Sequence, residues 1–93
     1  MDKKFEWDPN KNASNLEKHG VSFDDVTDIF DDENRIQYIQ YVNGERRWKT
    51  VGSILGILFS VVYTMRKAVF RLISARRASK QEKKDYTDNI NKR

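Results

Sequence analysis

The chain's apolar residues fall in clusters whose spacing changes from helical to strand-like. "FEW" (Phe5 to Trp7) reads as a short extended segment, and "WDPNKNASNLEKHG" behind it carries a full set of helix signals. Asp8 suits the N-cap, Pro9 the first helical position and Gly20 the left-handed residue that ends the helix. Phe23, Val26, Ile29 and Phe30 then recur at helical spacing behind Ser22 and Asp25, which resemble a capping box, so a second helix is predicted. From Arg35 the composition turns to β-branched and aromatic residues. "RIQYIQYV", a turn at Asn43 to Glu45, "RRWKTV", a turn within Ser53 to Gly56, "ILFSVVYT" and "AVFRLIS" read as four strands of a meander. Ser79 with Glu82 forms another capping box, opening a basic helix from about Ser79 to Ile90. The predicted architecture is α+β over residues 1–93 as one domain: two N-terminal helices, an antiparallel sheet of about four strands and a C-terminal basic helix.

Composition narrows what such a domain can do. Ninety-three residues support one core, so a binding surface has to be built on the fold itself. There is no cysteine, which excludes disulfides, thiolate chemistry and Cys-based zinc sites. The start, "MDKKFEWDPN", lacks the apolar run of a secretory signal. The longest apolar stretch, "VGSILGILFSVVYTM", covers 15 residues, short of the roughly 20 a membrane-spanning helix needs. A cytoplasmic protein without membrane contact is expected. The net charge of +4 conceals a division: residues 1–34 carry ten acids and four bases, net −6, and residues 35–93 four acids and fourteen bases, net +10. The second part is the one suited to a polyanion.

His19 is the only histidine, which rules out a His-rich metal centre and leaves a serine triad one base with no marked nucleophile beside it. At a helix end its imidazole can favour the helix dipole or transfer a proton. Asp24, Asp28 and Asp32 recur every four residues and read as a solvated acidic face rather than a metal site, so neither metal nor cofactor is expected. The arginines carry more information. Arg47 and Lys49 share one face of the second strand, Arg71 projects from the fourth, and Arg76 and Arg77 follow it. Guanidinium groups bind phosphate bidentately and stabilise charge growing on phosphorus, and RNA supplies its own nucleophile in the 2′-OH. Salt bridges to the acidic part offer the plainer reading of any one arginine. Trp48, Tyr41, Tyr63 and Tyr86 can stack bases, but their strand-like spacing favours the core.

Three separated stretches, "FEWDPNKNASNLEKHGVSF", "ERRWKTVG" and "RLISARRASKQEKKDY", resemble the BrnT family of type II toxins. Its members commonly read F-x-W-D-x-x-K-x-x-x-N-x-x-K-H-G-V-x-F, then E-x-R-x-x-x-x-G, then R-x-I-S-A-R-x-A. The resemblance implies a fold similar to RelE and ParE toxins, ribonuclease activity that arrests translation, and neutralisation by a BrnA-type antitoxin. It also allows a heterotetrameric complex that meets operator DNA through the antitoxin. Lys18, His19, Glu45, Arg47, Arg71 and Arg76 fall on motif positions. On this footing Arg71 and Arg76 are expected at the scissile phosphate, Arg47 and Lys49 in support, and His19 or Glu45 in proton transfer. Arg77, Lys80, Lys83 and Lys84 would extend a track for the RNA backbone. The chain departs from its relatives at "GSILGI", where apolar Ile54 and Leu55 replace a polar hairpin and are expected to meet the antitoxin. Tyr63 stands where relatives often have histidine, and Met65 replaces a commonly acidic residue, which puts a proton relay through that strand in doubt. A non-catalytic nucleic-acid-binding or assembly protein of the same fold, and a ParE-like gyrase inhibitor, are the competing functions.

Overall fold

The computed structural model describes residues 3–92. Strand β1 (Lys4–Glu6) leads into helix α1 (Pro9–His19). Asp8, in extended conformation, accepts the Asn10 N–H at 2.8 Å, and Gly20 closes the helix in the left-handed region at φ 69°. The caps read from the sequence are therefore the ones in place.

The predicted second helix is corrected. Phe23–Asp25 and Thr27–Asp31 form two short 3-10 turns, and the Ser22 side chain makes no capping bond. Instead Asn12 Oδ1 accepts the Phe23 N–H at 2.8 Å, which ties the segment back to α1. Phe23, Val26 and Ile29 are fully buried, and their three-residue spacing suits a helix of three residues per turn.

The sheet also differs from expectation. It has five strands rather than four, and it is mixed: β1, β5 (Val69–Arg77), β4 (Ile57–Arg66), β3 (Glu45–Ile54), β2 (Ile36–Val42), in that spatial order. The four long strands form the expected antiparallel meander, while β1 runs parallel to β5 with Glu6 beside Arg71. Asn43–Gly44 and Leu55–Gly56 turn the first two hairpins, both residues of each pair having positive φ. Two-residue turns of this kind match the twist of the strands they join. Strand β3 thus continues through Ile54, and the turn is tighter than the Ser53 to Gly56 span predicted.

One face of the sheet meets the 3-10 segment, with Phe23, Ile29, Phe30, Val61, Tyr63, Leu72 and Ala75 in the main core. Gly52 permits the closest approach, since a Cβ there would lie 2.7 Å from Ile29 Cγ1. The opposite face is covered at one end by helix α2 (Lys80–Asn91), through Val51, Ala78 and Tyr86. The Ser79–Glu82 capping box is complete. Among the described residues, no helix is long and apolar enough to cross a membrane.

A β-bulge sets the phase of β5. Val62 pairs with Ser74 and Tyr63 with Leu72, so Ile73 is an extra residue without a partner on β4. Beyond it Asn15 bridges α1 to the edge of β5: its amide accepts the Ala75 N–H at 3.0 Å and donates to the Ala75 and Val21 carbonyls at 2.7 and 2.8 Å.

Candidate functional site

Pairing register places Gln40, Arg47, Thr64, Arg71 and Glu6 in one transverse row on the face whose other end α2 covers, Arg47 lying one residue beyond the Trp48–Tyr63 pair. Arg47 and Arg71 sit two strands apart, about 10 Å at the backbone, within reach of one phosphate for two arginine side chains. The row floors a cleft of about 270 Å³ lined by Asp8, Lys11, Glu45, Arg47, Thr64, Arg66, Arg71 and Ile73.

Its cations are held to different degrees. Arg47 Nε donates to Glu45 at 2.8 Å and Arg71 to Glu6 at 2.7 Å. Neither Lys11 nor Arg66 enters an ion pair among the described residues. The hydrogen bond from Arg47 holds the Glu45 carboxyl below its ordinary range, more than offsetting its small desolvation. Glu45 is therefore a carboxylate that orients Arg47 and takes up a proton reluctantly.

A second groove, of about 160 Å³, adjoins the first and shares Lys11 and Ile73 with it. It is lined further by Ser14, Asn15, Lys18, His19 and Ser74. The C-terminal turn of α1 thus brings His19 alongside the arginine cleft, and the Ile73–Ser74 bulge forms the boundary between the two.

Arg76 and Lys49 lie elsewhere on the same face, beneath α2. Arg76 donates bidentately to Glu82 at 2.7 and 3.0 Å, and Lys49 reaches the same carboxylate at 2.8 Å. The backbone N–H of Ser79 adds a further bond at 2.9 Å. Burial alone would raise the Glu82 carboxyl, but these donors together outweigh it and bring it down to about 2. The same hydrogen bond raises Arg76 against the effect of its own desolvation. Arg71 and Arg76, expected on one phosphate, are thus not brought together. They stand roughly 13 to 16 Å apart along β5, with the charge of Arg76 already matched.

The remaining predicted residues divide into separate places. Arg77 and Lys83 share a small recess with Gly56, Ile57 and Leu58 at the β3–β4 hairpin. Arg77 lies over the Phe59 ring, Lys80 is exposed, and Lys84 pairs with Asp88 at 2.7 Å. Leu55 is 97 % exposed, whereas Ile54 packs against the main core, so the two do not form one exposed pair. Asp24 and Asp28 are exposed as expected. Asp32 is a structural acceptor for the Tyr86 hydroxyl, the Ser53 N–H and the Asn34 N–H at 2.6, 2.8 and 2.9 Å. No group of three His, Asp or Glu side chains that could hold a metal occurs among the described residues.

Sequence reasoning missed Lys11, Thr64 and Arg66 in the cleft, and saw in Glu82 only a helix cap. Lys11 had a signal, for it occupies the lysine of the first motif, F-x-W-D-x-x-K. Arg66 had none, because only the pairing of β4 with its neighbours carries it into the cleft, two residues along β4 from Thr64.

A family model described as the ribonuclease toxin, BrnT, of type II toxin-antitoxin systems matches residues 7–82. The matched span contains every residue lining the cleft and its adjoining groove. No curated protein matches the chain.

Proposed function

The chain belongs to the BrnT family of ribonuclease toxins of type II toxin-antitoxin systems, and we propose that it cleaves RNA in the arginine cleft by metal-independent attack of a 2′-OH on the neighbouring phosphate. The observation that carries this reading is the convergence of Lys11, Arg47, Arg66 and Arg71 in one cleft beside the groove of His19. In this reading Arg47 and Arg71 grip the scissile phosphate and stabilise the charge that grows on its oxygens. Lys11 and Arg66 hold the adjacent backbone. His19 accepts the 2′-OH proton, the O2′–P bond forms as the P–O5′ bond breaks, and the 5′ oxygen leaves with a proton taken from water, giving a 2′,3′-cyclic phosphate end. Glu45 positions Arg47. The Arg76–Glu82–Lys49 cluster, its charges matched, fixes α2 on the same face, and Lys80 and Lys83 of α2 with Arg77 at the end of β5 add basic charge beyond the cleft for the RNA backbone.

The family implies a protein antitoxin. We assign a BrnA-type partner to the β3–β4 hairpin, with Leu55 as the apolar anchor, and retain the likeness to RelE and ParE toxins as part of the same proposal. The test is cleavage of free RNA and of programmed ribosomes by purified protein. Arg47→Ala and Arg71→Ala should each lower the rate by ~10²-fold or more, the scale for losing one transition-state donor, with melting temperatures near wild type. His19→Gln should lose cleavage while keeping RNA affinity. Activity should survive EDTA, and RNA with a single 2′-deoxy nucleotide at the cut should resist. Cleavage of that substrate at the full rate would overturn 2′-OH attack.

A further inference from the structure

The two edges of the sheet are treated differently. On one side β1 covers only the first residues of β5, and Asn15 then occupies the backbone of Ala75. On the other side, among the described residues, β2 pairs with β3 alone and presents seven residues, IQYIQYV, without a charge or a proline. Edge strands of monomeric proteins are usually blunted by lysine, proline, a bulge or a covering element. Strand β2 carries no lysine or proline, α2 packs on one face of it at Ile36 and Tyr38, and its register with β3 runs without a break from Ile36 to Val42. Its apolar side chains are open as well: Ile39 is 59 % and Tyr41 71 % exposed.

We propose that β2 pairs antiparallel with β2 of a second copy of this chain, about a two-fold axis through Ile39, joining the two sheets edge to edge. The sequence is self-complementary in that register. Ile36 meets the partner's Val42, Gln37 meets Tyr41, Tyr38 meets Gln40 and Ile39 meets its own mate, so each apolar residue faces an apolar or aromatic one or an uncharged amide. Beyond the strand Arg35 opposes Asn43, so no like charges face each other. A partner strand of another protein would need no such internal symmetry.

The consequence concerns the cleft. A two-fold axis perpendicular to the sheet keeps the same face of both copies on one side. Gln40 is in the transverse row beside Arg47, so the arginine clefts of both copies would open on one continuous surface, one strand in from the seam. Pairing through a single strand belongs to the small, weaker class of interfaces, and concentration-dependent association is expected. The inference does not depend on the nuclease reading.

The experiment uses the full chain, purified free of antitoxin, in sedimentation velocity over a wide concentration range. The wild type should move from monomer to dimer. Ile39→Lys, which sets two ammonium groups against each other on the axis, should remain monomeric with an unchanged melting temperature. Leu16→Lys, on the exposed side of α1, should dimerise like wild type. The chain has no cysteine, which permits a test of register: Ile39→Cys should cross-link to itself under mild oxidation. Val42→Cys should not, since its mate lies six residues along the partner strand, ~20 Å away. A wild type that stays monomeric at every concentration overturns the proposal, as does a dimer that survives Ile39→Lys or cross-links at Val42 in preference to Ile39. Protection of β2 amides only when antitoxin is added would assign the edge to the antitoxin and equally overturn self-pairing.

Discussion

Glu82→Gln isolates the contribution of one buried carboxylate. The side chain is 6 % exposed and receives Arg76, Lys49 and the Ser79 N–H, which hold its pKa at about 2 against an ordinary 4.5. That difference corresponds to ~3 kcal/mol of folding free energy. Because the folded-state value is the lower one, the contribution is complete above pH ~4.5 and is lost as pH falls towards 2. Glutamine keeps the size and an acceptor for the cap but removes the charge, leaving Arg76 and Lys49 facing each other. At neutral pH the variant should therefore melt roughly 12 to 24 °C lower, using ~4 to 8 °C per kcal/mol for a domain of this size. Near pH 2 the two proteins should converge. Other carboxylates lose their partners in acid too, Asp32 among them, its hydrogen bonds outweighing the rise that burial imposes; they do so in both proteins, so the difference between the two curves reports Glu82. Urea or thermal unfolding from pH 2 to 7 measures it. A variant with the wild-type melting temperature and a parallel pH curve would refute the account of the cluster.

Leu55 holds a left-handed conformation at φ 51° while fully open to solvent, so Leu55→Asn should raise stability by ~0.5 to 1 kcal/mol in a denaturant melt and speed antitoxin release in surface plasmon resonance. Ile54→Ser should instead lower stability, because Ile54 packs on the main core; this separates two positions that the sequence presents as a pair. Asn15→Leu should cost at least ~2 kcal/mol, since it strands the Ala75 N–H and two carbonyls away from water. Hydrogen exchange at Ala75 should rise accordingly.

How far the fold is legible depends on whether a signal is local. Both α-helices were marked by their own caps, at Asp8, Gly20 and Ser79, and the first hairpin by Asn43–Gly44. The 3-10 segment was misread because Ser22 and Asp25 imitate a capping box, whereas Asn12, ten residues back, supplies the acceptor that decides the conformation. Strand β1 is three residues long and owes its existence to β5, some 65 positions away, so its sequence shows extension but no partner. Glu82 was recognised for its local role. Its second role, as counter-ion to Arg76 and Lys49, exists only once α2 lies across the sheet.

The site turns on one such non-local fact. In a regular strand residues alternate between faces, and positions 71 and 76, an odd number apart, would point in opposite directions. Arg71 is fixed beside Glu6 and Thr64, and Arg76 beside Ser60, all on the face that carries α2. Both conditions hold because Ile73 is extra. Bulges re-aim side chains in this way, commonly beside functional sites. Without it, keeping Arg76 under α2 would turn Arg71 into the core and bring Phe70 and Leu72, which pack there, out to the cleft. The bulge therefore does two things with one residue: it places two arginines on one face, and it directs Ile73 and Ser74 towards the groove of His19. No periodicity in "RLISARR" announces it, since the extra residue, Ile73, is apolar like Leu72 before it. The cost of flipping Leu72 out of a site where it is 1 % exposed, ~2 kcal/mol by area, together with the Asn15 clamp on Ala75, is what holds the register and so keeps the cleft assembled.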